Sequence, residues 1–124
     1  MPATNPICLA RKNNETACVI AQEPIDWCLA VDTEGNRVTT AGAYVYGFAQ
    51  TTVDTGQRLT IEIEGECIAI AGSPLTKGDE LSVGTGGRLN VAAAGDHVVG
   101  RALEDVPAGG LYTIIRKTEE GYKA

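Results

Sequence analysis

AGSPLTKGDELSVGTGGRLNVAAAGDHVVGRALEDVPAGGLYTIIR, residues 71–116, is a run of short apolar–polar alternations separated by glycine turns. Gly78-Asp79, Gly86-Gly87 and Gly95-Asp96 fall eight and nine residues apart, which leaves room for strands of about five residues joined by tight connections. That spacing suits a small closed or nearly closed β-barrel. Outward from it, residues 57–64 alternate strictly: Leu59, Ile61 and Ile63 share one face, and Arg58, Thr60, Glu62 and Glu64 the other, the period of two of a half-buried strand. Gly65 breaks this strand, and residues 66–71 follow as a more apolar one. Further strands are expected at 28–32, 43–50, 80–83, 88–91, 98–103 and 111–117, with a short one around 18–21 and a helical turn near 91–94. Eight or nine short strands in roughly 100 residues indicate an all-β fold, a small β-barrel or tulip-like sandwich. Leu59, Ile61, Ile63, Ile68, Ile70, Leu81, Val99, Leu103 and Ile114 are its expected core.

The chain has 124 residues, with one Phe, one Trp, one Met and four Tyr. The length suits a single domain, and a core short of aromatics must be built from Val, Ile, Leu and Ala. Fifteen Gly exceed the average usage of about 7% and fit many turns. Residues 1–25, punctuated by Pro2, Asn5, Pro6, Asn13, Asn14 and Pro24, show no sustained period and read as an extended N-terminal arm; residues 26–124 read as one β-barrel domain.

The formal charge is −6. Residues 23–105 carry thirteen acids and five bases, while each end is slightly basic. An acidic body lacks the positive patch that phosphate contacts require, so nucleic acid is not an expected partner. No apolar run is long enough to span a bilayer or to serve as the core of a secretory signal, so neither a membrane nor export is expected. Cys8, Cys18, Cys28 and Cys67 lie ten, ten and thirty-nine residues apart, without the close pair that opens a zinc site; they read as free buried thiols, with no metal or cofactor expected.

No catalytic set assembles. His97 is the single histidine, placed where a polar residue facing solvent is the default. Glu62, Glu64 and Glu66 imitate a carboxylate pair but read as a solvated strand face. Gly84, Gly86 and Gly87 lack the Lys-Ser/Thr of a phosphate loop and form a hairpin turn. Tyr44, Tyr46 and Phe48 recur every second residue and share one strand face, an aromatic stripe without basic neighbours and therefore core or protein contact rather than a base-stacking platform.

Three segments carry a resemblance: TTAGAYVYGFAQTTVDTGQRLTIEIEGECIAIAG, PLTKGDELSVGTGGRL and VVGRALEDVPAGGLYTIIR. Ala41-Gly42-Ala43, Gly65, Leu75 with Gly78-Asp79, Gly87, and Gly100 with Ala102 ahead of Gly109-Gly110 occur in an order and spacing that resemble the capsid decoration, or cement, proteins of tailed bacteriophages, over about residues 38–117. The resemblance implies a non-enzymatic virion protein with a β-barrel or tulip-like fold. It would be made in the host bacterial cytoplasm and bound as a homotrimer to the outer surface of the head. There it would bridge units of the major capsid protein. The candidate capsid or subunit interface comprises Ile7, Leu9, Arg11 and Lys12 of the arm with Trp27, Tyr44, Tyr46 and Phe48. The rival expectation is another virion-associated or carbohydrate-binding β module for tail or host-surface attachment, using Trp27 or the aromatic stripe as a sugar platform.

Overall fold

The computed structural model describes residues 15–119 and 121–124. Within them the chain is all-β: β1 (Glu15–Ile20), β2 (Ala30–Val31), β3 (Gly47–Ala49), β4 (Arg58–Ile70), β5 (Glu80–Val83), β6 (Leu89–Val91), β7 (Gly100–Ala102) and β8 (Tyr112–Lys117). No described residue is helical; where a helical turn was expected, a tight turn is held by Asp96, whose carboxylate accepts the Ala93 N–H at 2.9 Å. The strands form one antiparallel sheet in the order β2-β3-β4-β8-β7-β5-β6, with β1 lying along β4. The sheet curls until its last strand meets the chain leaving β4. Leu89 bridges Ala71, and its carbonyl accepts the Gly72 N–H at 2.6 Å. This near-closure is what the glycine spacing predicts, and it blunts the exposed edge an open sheet would offer.

The central strand departs from expectation. In place of two strands broken at Gly65, β4 runs on for thirteen residues. Gly65 stays in the ladder at φ +96°, a region glycine reaches without strain. Just before it the pairing with β1 slips: Thr16 stands opposite Glu62, but Glu15 stands opposite Glu64. One extra residue exchanges the two faces of a strand. Leu59 and Ile61 therefore belong to an apolar cluster with Ala21, Ile25, Val31 and Ala49, whereas Cys67 and Ala69 belong to a larger one within the curl, with Phe48, Leu81, Leu89 and Ile115. Glu62 pairs with Phe48 on the inner side. Rather than lying on a solvated face, it is 2% exposed, its carboxylate 3.4 Å from the Ile68 amide nitrogen.

β8 holds the second departure. Leu59, Ile61, Ile70, Leu81 and Val99 are buried as expected and Ile63, Ile68 and Leu103 are half-buried, but Ile114 is 44% exposed and Ile115 takes its place in the core. Thr113, Ile115 and Lys117 point inward; Tyr112, Ile114 and Arg116 point outward. Burial of the two polar residues is tolerated because each finds partners. Thr113 donates to Glu104 Oε2 at 2.9 Å, and Lys117 Nζ donates to Glu119 Oε2 at 2.7 Å and to the Thr118 carbonyl at 3.4 Å.

Residues 1–14 of the expected arm lie outside the described residues. Of its remainder, Glu15–Ile20 forms β1, and Ala21 and Ile25 are buried. In the strands, two glycines are required by space rather than by φ: a Cβ on Gly100 would run into the Arg116 carbonyl of β8, and one on Gly47 into the Glu62 carbonyl of β4.

Candidate interaction surface

The outer side of the β4–β8 ladder exposes the apolar side chains of Tyr112 and Ile114. Register sets it: Ile68 stands opposite Ile114, Ile70 opposite Tyr112, and Glu66 opposite Arg116, the last pair forming an ion pair at 3.7 Å. Onto this ladder a reverse turn delivers Trp27. The Leu29 N–H donates to the Asp26 carbonyl at 3.3 Å and Cys28 takes φ +72°, as the third residue of a type II turn must. That conformation sends Cys28 into the core and Trp27 outward, where its ring lies 5.0 Å from that of Tyr112 with the planes 31° apart. The backbone N–H of Trp27 donates to Thr52 Oγ1 at 3.1 Å, pinning the turn. Between the turn and the sheet runs an open groove of about 380 Å³, walled by Asp26, Trp27, Thr52, Arg88 and Tyr112 among others.

A second aromatic group lies where the chain's last described residues return to the sheet. Gly95 N–H donates to the Lys123 carbonyl, Lys123 N–H to the Asp96 carbonyl and Val98 N–H to the Gly121 carbonyl, while Lys123 Nζ donates to Glu80 at 2.6 Å. His97 is held beneath this clasp, edge-on to Tyr44 (4.8 Å) and Tyr122 (5.2 Å). It is 4% exposed, not solvent-facing, because the clasp covers it; its Nδ1 has no hydrogen-bond partner among the described residues. Burial pushes its pKa below the ordinary 6.5, with Glu119 opposing and Lys117 adding to the shift. Tyr44 donates to Glu119 Oε1 at 3.4 Å, and burial together with the Glu119 charge raises its own pKa. Glu80, hydrogen-bonded to Lys123 and near Arg101, is held below the usual carboxylate range.

Those of the expected interface residues that are described do not form one surface. Ile7, Leu9, Arg11 and Lys12 lie outside the described residues. Trp27 is exposed on the β4–β8 face. The stripe of Tyr44, Tyr46 and Phe48 is divided: Phe48 is fully buried in the larger core, Tyr46 is half-buried against the smaller one, and Tyr44 is exposed at the clasp. Only Phe48 and its neighbours on either side are in regular strand geometry, so the period of two did not carry the ring of Tyr44 onto a shared face. Of the thiols, Cys28 and Cys67 are buried, whereas Cys18 is exposed rather than buried as expected; Cys8 lies outside the described residues. Tyr112, Asp26 and Arg88 were not singled out from sequence and Ile114 was expected in the core; the apolar residues of β8 on both faces hid the outward pair.

No group of three or more His, Cys, Asp or Glu among the described residues is placed to hold a metal ion. No described helix is long and apolar enough to cross a membrane. The model of the phage cement protein family matches residues 21–118. Among solved structures, the N base of head fiber gp8.5 of bacteriophage phi29 superposes with a TM-score of 0.67 at 18% identity, covering 90% of this chain and 99% of that one. No curated protein matches the chain.

Proposed function

The chain belongs to the phage cement protein family, and we propose that it decorates the outer surface of a phage head, where it holds neighbouring units of the major capsid protein together. The family match over residues 21–118 is the observation that carries this reading. A cement protein is a virion component whose work is mechanical. It adds contact area across joints of the shell, and because it binds only the assembled lattice, it stabilises that state by mass action. The structure supports the reading with a curled sheet whose outer face leaves Tyr112 and Ile114 exposed among the described residues. Chemistry is not part of this proposal. The single histidine is sequestered under the clasp between two tyrosine rings, out of reach of a substrate.

The shell anchor in this reading is the segment ahead of β1. It offers Ile7 and Leu9 with Arg11 and Lys12, and β1 has no strand on its outer side among the described residues, so chain entering there can lie across a neighbour as an added strand. The test is co-sedimentation with purified expanded heads. Full-length protein is expected to pellet with the shells and to raise the temperature at which they release DNA. Deletion of residues 2–14 should weaken pelleting at least tenfold while leaving the melting temperature of the free protein nearly unchanged. Full-length protein that stays in the supernatant at saturating shell concentration overturns the decoration reading; a truncated protein that pellets like the full chain overturns the anchor alone.

A further inference from the structure

Strand β8 is inverted relative to the usual distribution of side chains: its polar Thr113 and Lys117 are inside and its Tyr112 and Ile114 outside. An inverted strand leaves an apolar surface that no described residue covers fully. With Trp27 at 39% exposure, Tyr112 at 57% and Ile114 at 44%, flanked by half-buried Ile68, the open apolar surface is on the order of 300 Å², comparable to the largest patch on a soluble monomer, which is often functional.

The charges around the patch indicate what covers it. Glu66 and Arg116 neutralise each other across the ladder at 3.7 Å. The Glu104 carboxylate accepts from Thr113 and from the Ile114 N–H. Both donors are neutral, so Glu104 keeps its negative charge at the edge of the patch; the charged side chains lining the groove beside Trp27 and Tyr112 are Asp26 and Arg88, of opposite sign, and neither makes an ion pair or hydrogen bond with a described residue. At a net charge of −6, two copies repel one another overall. A groove whose charged side chains are one acid and one base beside an apolar centre is complementary to itself, because symmetry can bring Asp26 of one copy to Arg88 of the next.

We infer that the Trp27–Tyr112–Ile114 face is the surface by which copies of this chain associate with one another, with Asp26 and Arg88 paired across the junction. The inference refines the multi-copy assembly expected of a head-decorating protein by naming its surface, and so rests on that reading. Asp26→Arg and Arg88→Asp lie on the surface, away from both cores, so their folding is checked by melting temperature before association is measured by light scattering and sedimentation. The wild-type chain is expected to associate at micromolar concentration. Each single swap should weaken association at least tenfold, and the double variant Asp26→Arg/Arg88→Asp should recover to within about threefold of wild type. Recovery in the double variant is the outcome that a merely structural role would not produce. Single variants that associate like wild type, or a folded double variant that fails to recover, overturn the inference. A wild-type chain that stays monomeric at millimolar concentration yet pellets with shells also overturns it, assigning the face to the capsid protein while decoration stands. So does a monomer whose Trp27 fluorescence responds to methyl glycosides, which assigns the groove to a saccharide. Association that obeys the swaps without any pelleting supports the face and removes decoration.

Discussion

Cys28 and His97 each sit in an environment unusual for their chemistry, one in its backbone and one in its burial. Cys28 occupies a left-handed conformation at φ +72° that side-chain-bearing residues rarely adopt, and it does so because the turn must send its neighbour Trp27 outward. Cys28→Val adds a second branch at Cβ in that conformation and is expected to destabilise the fold by about 1–3 kcal/mol in urea denaturation; an unchanged midpoint would show that the turn relaxes without it. His97 is buried as the neutral imidazole. The unfolded chain takes up its proton near pH 6.5 and the folded chain at lower pH. Between those values the unfolded state binds more protons, so the His97 contribution to stability is complete above about pH 6.5, declines as pH falls through that window and is constant below the folded pKa. The difference in unfolding free energy between wild type and His97→Phe should therefore shift against the wild type between pH 7.5 and 5.5. A difference independent of pH would mean the imidazole titrates equally in both states.

At the level of strands, close approach and register decide what is tolerated. Gly100→Ala places a methyl group against the Arg116 backbone carbonyl and should cost about 1–3 kcal/mol or more, because two paired backbones cannot part without breaking the β7–β8 ladder. Ile61→Ala, at the fully buried centre of the smaller core, should cost about 2–5 kcal/mol; a loss below about 0.5 kcal/mol would place that side chain in solvent. The strands at 80–83, 89–91 and 112–117 were legible because glycine turns bracketed them and their alternation was short. β4 was not, because a glycine that ends a strand and a glycine that lets one slip by a residue are the same letter, and only the pairing of Thr16 with Glu62 separates them. Ile114 and Ile115 are adjacent and equally apolar. The choice between them fell to Lys117, whose burial rests on Glu119 two residues on and on a backbone carbonyl, contacts that no period reports. The functional face was hidden by the same ambiguity, since Tyr112 and Ile114 look like core until the register is known.

For the molecule as a whole, the reading as a cement protein predicts a linkage between occupancy and endurance: heads saturated with the protein should withstand higher temperature than bare heads, by an amount that grows with free protein concentration. A shell whose melting temperature ignores concentration would deny it that role. The placement of β8 carries one more consequence, in the order of synthesis. β8 sits in the middle of the sheet, between β4 and β7, yet it begins at Tyr112, long after β4 has ended at Ile70. While the ribosome adds the intervening residues, half of β4 waits with its backbone groups and apolar side chains unpaired, a state in which nascent chains are open to mispairing with one another. At elongation rates of roughly 5–20 residues per second that exposure lasts a few seconds, so the yield of native protein is set by how well the nascent chain is shielded until its last strand is inserted.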